Sequence, residues 1–519
     1  MGSPYCRLIA PDIIVNNVVV HLSSLLEMVE SGFDDRVLCG DAGHRVTGAE
    51  LGRLVRSGAA WLGEQFAALV YAGENHPLLP VGLLSAAWAG VPFVPINYRL
   101  DDERLNALVA RQPGALVLAD SATAARLAGS SATVMVFDGW LRALADAPES
   151  TPEAAFDDDA VAVVLYTSGT TSEPKAAYLR HRHLMAYLLG SVDFGGADSD
   201  EAVLVSVPPY HIAGVANMLS NLFAGRRLVY LRAFDASTWL RTVSDEAVTH
   251  AMVVPTMLAR VVEMLDGAPA GVTSLRSLSY GGSKTSARVL EAALRAFPGT
   301  GFVNAYGLTE TASTVAVLGP DDHRAGLASD DPAVRRRLTS VGQVLPMVEI
   351  EIRDDSGAVL PAGEAGLIYL RGEQIAGEYS SGSVLDADGW FFTRDRGSVD
   401  ADGYLFIEGR TDDTIIRGGE NIAPAEIETV LLAHPAVADV CVVGVPDDEW
   451  GQRVVAAVVL QPGASVDEAT LRNSVRERLR GAKTPDSIVF RDTLPHTDTG
   501  KMLRRVVLGD LLATEPTPT

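Results

Sequence analysis

Short apolar runs alternate with alanine- and leucine-rich stretches over the first half of this chain. Runs of this kind, bounded by turn residues, are typical of strands that are buried on both faces. The stretches between them are long enough for the crossover helices that parallel strands require. The pattern therefore predicts an α/β fold. The predicted strands include residues 78–84, 93–96, 115–118, 203–207, 228–231 and 252–254.

A change of pattern near Asp412 predicts a second, smaller domain, and 519 residues are too many for one core. The segment before Asp412 is rich in predicted strands, and Pro424 after it begins a helix. We expect a large N-terminal α/β domain with subdomains and a β-rich segment over residues 1–411. A small, mobile α+β lid domain is expected over residues 412–519. The predicted strands on either side lie at 349–352, 367–370, 404–407, 437–445, 454–460 and 488–490, with a helix at 466–479.

The charge balance excludes some classes of partner. Lysine and arginine total 42 against 66 aspartates and glutamates, which gives a net charge of -24. Such a chain repels nucleic acid and anionic membrane surfaces, so any anionic ligand needs a local cluster of cations and backbone donors. Three scattered cysteines offer neither a disulfide framework nor a metal-binding spacing. No apolar run is long enough for a membrane span, and no signal-peptide pattern is found, so a cytoplasmic protein is expected.

Hydroxyl side chains, a glycine and a lysine follow the apolar run that ends at Tyr166, in the sequence TSGTTSEPK. A loop of this composition can present backbone N–H and O–H donors to the oxygens of a polyphosphate. The spacing differs from that of a Walker loop, because no second glycine precedes the lysine. We therefore predict a phosphate-binding loop of a different type. Its residues are Thr167, Ser168, Gly169, Thr170, Thr171 and Lys175.

Three further segments narrow the interpretation. The first is NAYGLTE at residues 304–310, the second is a glycine-punctuated run at 389–428, and the third is LPHTDTGKMLRR near the C-terminus. These segments and the loop, in this order, resemble the acyl-CoA synthetases of the adenylate-forming superfamily, which also contains luciferases and peptide-synthetase adenylation domains. The resemblance covers nearly the whole chain.

The resemblance implies a nucleotide site and an enzyme that uses ATP, Mg²⁺ and CoA. Lys501 would bridge the substrate carboxylate and the α-phosphate, Glu310 would hold Mg²⁺, and Tyr306 would lie against adenine. A side chain at Gly282, in the opposite wall, would intrude on the nucleotide. The other nucleotide-binding residues implied are Gly281, Ser283, Asn304, Ala305, Gly307, Thr309, Asp395, Ile407 and Arg410, and the catalytic set is Lys501, Glu310, His211 and Thr170.

The resemblance also implies a thiol channel and an acyl pocket. The lid would rotate about Asp412 and bring Gly418 and Gly419 against the pantetheine arm of CoA. His211 would lie where the acyl pocket meets the channel. The expected pocket residues, mostly small or apolar, predict a hydrophobic, bulky or cyclic carboxylic acid as substrate. They are His211, Ala213, Gly214, Met218, Tyr280, Gly281 and Ala312.

Three positions depart from the family pattern, which has glycine where Ser172, Ala176 and Arg394 stand. Each places a side chain next to the expected nucleotide. Arg394 could instead pair with a phosphate or with Asp395. A second interpretation follows, in which the chain performs mainly the thioester step on acyl-adenylate made by a partner adenylating enzyme. A third is that it loads an acyl or phosphopantetheine carrier protein, and the sequence leaves open a homodimer.

Overall fold

A computed structural model describes residues 21–40, 45–147, 153–154, 156–167, 174–417, 420–447, 450–479, 481–497 and 500–514. The predicted α/β class is confirmed, with a large N-terminal domain and a small C-terminal domain. Within these ranges no helix combines the length and the apolar character that a membrane crossing requires. Cys39 and Cys441 are buried free thiols.

The first part of the chain builds most of an eight-stranded sheet with helices on its faces. Strands β3 to β7 pair in parallel in the order β7-β4-β3-β5-β6, and β8 pairs antiparallel with β7. The elements are α1 Leu22–Phe33, β1 Val37–Gly40, β2 Arg45–Thr47, α2 Gly48–Leu62, β3 Leu69–Ala72, α3 Leu78–Trp88, β4 Phe93–Pro95, α4 Asp102–Ala110, β5 Leu116–Ala119, α5 Ser121–Arg126, β6 Thr133–Val136, α6 Phe137–Asp146, β7 Val161–Thr167, β8 Lys175–Arg180 and α7 His181–Ser191.

One predicted strand is wrong. Residues 78–84 belong to helix α3, and every residue of this helix is buried. A helix that is apolar on all sides shows no helical periodicity, so a short apolar run of this kind cannot be told from a buried strand by pattern alone. The helix packs between α2 and the sheet, where no face of it needs polar residues.

A second sheet of seven strands follows, in the order β10-β9-β11-β12-β13-β14-β15. Its strands are parallel from β10 to β13, and β14 and β15 are antiparallel. The elements are β9 Ala202–Val205, α8 Ile212–Ala224, β10 Arg227–Tyr230, α9 Ala236–Asp245, β11 His250–Val253, α10 Pro255–Leu265, β12 Ser277–Gly281, α11 Ala287–Ala296, β13 Gly301–Leu308, β14 Ser313–Leu318, α12 Pro320–Ala328, α13 Pro332–Arg336 and β15 Gln343–Val344.

The predicted β-rich segment forms an antiparallel sheet in the order β16-β17-β20-β21, while β18 and β19 extend the first sheet beside β8. Strand β21 ends at Arg410, and one short turn, Thr411–Asp413, follows it. The domain boundary and the hinge at Asp412 stay predictions. The strands are β16 Glu349–Arg353, β17 Gly366–Arg371, β18 Glu378–Tyr379, β19 Gly382–Ser383, β20 Phe391–Val399 and β21 Leu405–Arg410.

The small domain has its own apolar core between a three-stranded sheet, β24-β25-β26, and the helices on it. Pro424 at the first helical position begins its first helix, and the side chain of Asp467 caps a later one. The elements are β22 Ile415–Arg417, β23 Glu420–Ile422, α14 Pro424–Leu432, β24 Val437–Asp447, β25 Gly451–Leu460, α15 Glu468–Arg478, β26 Ser487–Phe490 and α16 Arg504–Thr514.

Candidate active site

Three predicted nucleotide-binding residues form one contact group, which we call the Asp395 cluster: Tyr306, Asp395 and Arg410. The hydroxyl of Tyr306 donates a hydrogen bond to Asp395 Oδ2 at 2.5 Å, and Arg410 Nε lies 3.3 Å from Asp395 Oδ1. The pairing of β20 with β21 sets Asp395 opposite Arg410. Residues far apart in the chain therefore meet at the end of β13.

Asp395 is a buried carboxylate, 5% exposed. Burial raises its pKa, and the charge of Arg410 and the hydrogen bond from Tyr306 counter part of this rise. Arg410 Nη2 donates to the carbonyl of Thr393 at 3.1 Å, whereas its Nε makes no hydrogen bond with the residues that the structure describes. Each oxygen of Asp395 therefore has a polar contact within the cluster, and Arg410 Nε is a buried donor whose hydrogen bond is not formed among the described residues.

Glu310 follows β13 in a short turn, Thr309–Thr311. Its carbonyl accepts hydrogen bonds from the backbone of Ala376 and Gly377 at 2.9 and 3.1 Å. Its carboxylate accepts a hydrogen bond from the hydroxyl of Tyr379. The sequence analysis missed Tyr379 because β18 has only two residues and belongs to no motif. These bonds fix Glu310 beside the first sheet.

The phosphate-loop lysine lies near Glu310. Lys175 Nζ is 5.8 Å from the ring centroid of Tyr379, whose hydroxyl contacts Glu310. Thr167 and Lys175 are opposite each other in the β7–β8 hairpin, and Thr167 Oγ1 donates to the Lys175 carbonyl at 3.4 Å. The ends of the predicted loop thus reach the same region. Its predicted residues Ser168, Gly169, Thr170 and Thr171, and the departure at Ser172, lie outside the described residues.

Lys501 of the small domain belongs to the same region. Its side chain retains contact with solvent, yet partial desolvation and then the charge of Arg410 lower its pKa, while Asp413, Asp395 and Glu310 act in the opposite direction. The preceding Gly500 has φ +77°, and a Cβ on it would lie 2.3 Å from Thr256 Cγ2 at the start of α10. The loop that carries the lysine therefore packs directly against the large domain.

The end of β12 forms another side of this region. A Cβ on Gly281 would lie 2.2 Å from the carbonyl oxygen of Ala305, so the two strands approach too closely for any side chain there. Gly282 has φ +88° and no protein atom closer than 4.0 Å to its Cβ position. Within the protein, a side chain at Gly282 is disfavoured by the positive φ and not by a lack of space. The clash expected between such a side chain and the nucleotide stays a prediction. Ser283 follows, and Lys284 Nζ donates to Thr429 Oγ1 of the small domain at 2.9 Å.

The remaining predicted nucleotide residues lie on β13 and β21 or in the turn after β13. Asn304 Nδ2 donates to the Ser340 carbonyl at 3.3 Å, which directs this amide group to the loop before β15. Gly307 lies opposite β14, where a Cβ would be 1.8 Å from the carbonyl oxygen of Ser313. Ile407 packs with Tyr306 against one apolar cluster. Thr309 opens the turn that contains Glu310.

The predicted acyl-pocket residues lie in or just before α8, at the end of β12 and after the turn that follows β13. His211 precedes this helix, its ring 4.6 Å from that of Tyr210, and Ala213 is partly buried. Gly214 packs against the Pro208 carbonyl, whose oxygen would lie 2.4 Å from a Cβ placed on this glycine. Three further predicted residues, Met218, Tyr280 and Ala312, are at most 2% exposed in packed apolar clusters, and Tyr280 also bonds His323 through its hydroxyl. Their role as pocket lining stays a prediction.

The structure describes two of the three departures. Ala176 is 9% exposed and packs in the apolar cluster that contains Val164, so its methyl group fills core space. Arg394 has φ +64°, the conformation that glycine favours, and its half-exposed side chain pairs with Asp412 at 3.3 Å. It does not pair with Asp395, contrary to one expectation. Gly418 and Gly419 of the predicted thiol channel lie outside the described residues.

Two family models match separate parts of the chain. The model of the AMP-binding enzyme family matches residues 27–380, and that of the AMP-binding enzyme C-terminal domain matches residues 426–501. A feruloyl-CoA synthase from Amycolatopsis sp is 35% identical over 84% of this chain and 87% of its own length. An indoleacetate–CoA ligase from Aromatoleum aromaticum is 31% identical over 84% of this chain and 86% of its own.

A solved structure is similar over almost the whole length. ATP-bound MatB from Rhodopseudomonas palustris has a TM-score of 0.83 and 28% identity, covering 94% of this chain and 98% of that one. Its similarity extends through both domains, as do the two family matches. The chain therefore belongs to the AMP-binding enzyme family, as an adenylate-forming acyl-CoA synthetase, that is, an AMP-forming acid–thiol ligase.

Proposed function

We propose that the enzyme activates a hydrophobic, bulky or cyclic carboxylic acid with ATP and transfers the acyl group to CoA. The Asp395 cluster carries this proposal, because it joins Tyr306, Asp395 and Arg410 in one contact group and its charges act on Lys501. In the first step a carboxylate oxygen of the acid attacks the α-phosphorus of ATP, and the bond to pyrophosphate breaks. In the second step the CoA sulfur loses its proton and attacks the acyl carbon, and AMP leaves.

The residues of the Asp395 cluster and those near it suit the first step. Lys501 would stabilise the negative charge that develops between the carboxylate and the α-phosphate, because a cation fixed in place needs no reorganisation during the reaction. Asp395 would accept hydrogen bonds from ribose hydroxyls, and the guanidinium of Arg410 would donate to a ribose or phosphate oxygen. Tyr306 would support adenine. The loop residues Thr167, Ser168, Gly169, Thr170, Thr171 and Lys175 would bind the other phosphates.

Glu310 fits a magnesium site of the kind that substrate phosphates complete. In the described part of the chain no three His, Cys, Asp or Glu side chains cluster as a metal-ligand set. Mg²⁺ in nucleotide enzymes is commonly held by one or two carboxylates together with phosphates and water, so a single buttressed glutamate is sufficient. The ion would neutralise charge on the phosphates. Glu310 would hold it, and Thr309 would donate to the α-phosphate.

The predicted lining of the acyl pocket supports an uncharged substrate body. Ala213, Gly214 and Gly281 are small, and Met218, Tyr280 and Ala312 pack behind them in apolar clusters. No carboxylate belongs to this predicted set to bind an α-amino group, so amino acids are disfavoured. CoA thioester formation from a panel of acids tests the point. Aromatic or cyclic acids should be used best, and a preference for acetate or free amino acids would refute it.

The packing of the Ala176 methyl in the core and the pairing of Arg394 with Asp412 support the two-step reaction over the version limited to the thioester step. With these placements, neither side chain would project towards a bound nucleotide. Pyrophosphate release from acid and ATP distinguishes the versions. Release at a rate matching thioester formation supports the complete reaction, whereas thioester formation from synthetic acyl-adenylate without pyrophosphate release would establish the restricted one. Competition between CoA and a holo-carrier protein tests the carrier version.

A further inference from the structure

Helix α14 of the small domain packs two of its faces against different parts of the molecule. Ile427 and Leu431, four residues apart, are buried in the core of the small domain. Ala425 and Thr429, also four residues apart, lie on the opposite face. The Cβ of Ala425 is 3.8 Å from the position of a Cβ on Gly409 of strand β21. This second face of the helix therefore lies against the large domain.

A hydrogen bond joins Thr429 to the large domain. Lys284 Nζ donates to Thr429 Oγ1 at 2.9 Å. The hydroxyl proton of Thr429 is itself donated to the Ala425 carbonyl at 2.6 Å, so its oxygen can only accept from Lys284. An ammonium group has donors and no acceptor. The two groups are therefore matched in their hydrogen-bonding roles.

A carboxylate near Lys284 supports the same contact. Lys284 retains contact with solvent, yet partial desolvation lowers its pKa, while the charge of Glu428 acts in the opposite direction. Glu428 is held by Arg504, whose Nη2 donates to Glu428 Oε2 at 2.7 Å. A carboxylate fixed in this way on α14 favours the approach of the lysine to the helix.

Lys284 also belongs to the wall of the proposed nucleotide and acyl site, because it follows Gly281 and Gly282 at the end of β12. The small domain carries Lys501, on which the charges of the Asp395 cluster act. The bond from Lys284 to α14 thus ties the domain that carries Lys501 to this wall. A contact that is present in one position of a domain and lost in another shifts the balance between the positions by its own free energy.

We propose that Lys284 is a positioning residue for the first step, because its hydrogen bond to Thr429 holds the small domain, and with it Lys501, in place for adenylation. The inference rests on the proposed function and on the predicted rotation of the lid about Asp412. Rotation would carry α14 away from Lys284 and break the bond. The bond therefore sets the ratio between the rates of the two half-reactions.

The test measures both half-reactions in single turnovers: pyrophosphate release from acid and ATP, and thioester formation from synthetic acyl-adenylate and CoA. Thr429→Val removes the hydroxyl and keeps the shape of the side chain, and Lys284→Met removes the ammonium and keeps an apolar stem. In each variant the ratio of the first rate to the second should fall about 5-fold, the size expected for loss of one hydrogen bond. The ratio follows the balance between the two positions of the small domain, whatever their starting populations.

The double variant should show the same ratio as either single variant, since each substitution removes the same contact. Thr429→Ser keeps the hydroxyl and should retain the ratio of the parent enzyme. Unchanged ratios in both single variants, a double variant in which the two effects multiply, or equal losses in both half-reactions would each overturn the proposal.

Thr242→Val is the matched control. Thr242 Oγ1 donates to the Thr238 carbonyl at 2.8 Å within α9, so this variant loses the same kind of intrahelical bond away from α14 and should keep the parent ratio. A second measurement needs no catalysis: an amine-reactive reagent, followed by mass spectrometry, should label Lys284 faster in Thr429→Val than in the parent or in Thr242→Val. Equal labelling of Lys284 in all three proteins would overturn the proposal. Failure of the proposed function is distinct, because the unaltered enzyme would then form no thioester while the difference in labelling persisted.

Discussion

Arg394 Nη1 lies 3.3 Å from Asp412 Oδ2, so the strand that carries Asp395 is joined by an ion pair to the predicted hinge. Thr411 Oγ1 adds a hydrogen bond to the Arg394 carbonyl at 3.1 Å. The arginine makes these contacts from a left-handed backbone conformation, φ +64°. Backbone strain and ion pairing are therefore combined in one residue, next to the segment about which the lid is predicted to turn.

Replacement of Arg394 by glycine or alanine should separate strain from pairing. Arg394→Gly removes both the strained conformation, worth about 1 kcal/mol, and an exposed ion pair worth about 0–1 kcal/mol. Its thermal unfolding midpoint should therefore equal or exceed that of the parent. Arg394→Ala keeps the strain and loses the pair, so its midpoint should be equal or lower. A glycine variant less stable than the alanine variant would contradict this assignment.

The turn before Lys501 offers a test of lid placement. Gly500→Ala would set a Cβ 2.3 Å from Thr256 Cγ2, so the lysine loop could no longer pack on the large domain. We expect pyrophosphate release to fall by at least about 100-fold, as for loss of a well-positioned catalytic group. Thioester formation from synthetic acyl-adenylate should be retained if the lid leaves this position for the second step.

Gly463→Ala is the matched control for Gly500→Ala. Gly463 also lies in the small domain with a positive φ, +75°, but no atom lies within 4 Å of its Cβ position. It therefore reproduces the backbone strain without the clash, and its pyrophosphate release should stay within a few-fold of the parent. Equal losses in both variants would mean that strain alone, and not contact with Thr256, explains the effect.

The sequence predicts many strands of this fold but not its buried helix, and it names the residues of the Asp395 cluster but not the residue that bonds Glu310. Apolar runs such as 203–207 and 252–254 are each followed by proline, and the strands Ala202–Val205 and His250–Val253 overlap them as predicted. Helix α3 is buried on all sides and gives no periodic signal. Tyr379, which bonds Glu310, follows no motif, so only the tertiary structure shows that it supports this carboxylate.

Lys501 predicts a specific dependence of activity on pH. Partial desolvation and the charge of Arg410 lower its pKa below the usual 10.5. Because adenylation needs the charged amine, pyrophosphate release should decline on the alkaline side at a lower pH than for an ordinary lysine. The free energy of unfolding changes in the opposite direction. Between the lowered pKa of the folded state and 10.5, the unfolded state binds more protons at Lys501 than the folded state does. Lys501 therefore destabilises the folded state less as pH rises towards 10.5. Lys501→Arg should shift the decline in activity to higher pH, and an unshifted decline would assign it to another group.

Tyr306→Phe tests the Asp395 cluster through stability and pH together. The variant deprives the buried carboxylate of a hydrogen bond at 2.5 Å, so it should cost about 1–3 kcal/mol at neutral pH. The pKa of Asp395 is already raised by burial, and loss of the hydroxyl should raise it further. A raised carboxyl pKa means that the folded state binds the extra proton, so stability is lost as pH rises from the unfolded value towards the folded one. The deficit in thermal unfolding midpoint should thus be larger at pH 7 than at pH 4.

Tyr404→Phe is the control for Tyr306→Phe, because it removes a similar bond to Asp322 at 2.6 Å. It should affect stability without altering KM for ATP, whereas Tyr306→Phe should raise KM for ATP. If both variants raise KM for ATP equally, the Asp395 cluster is not the nucleotide site.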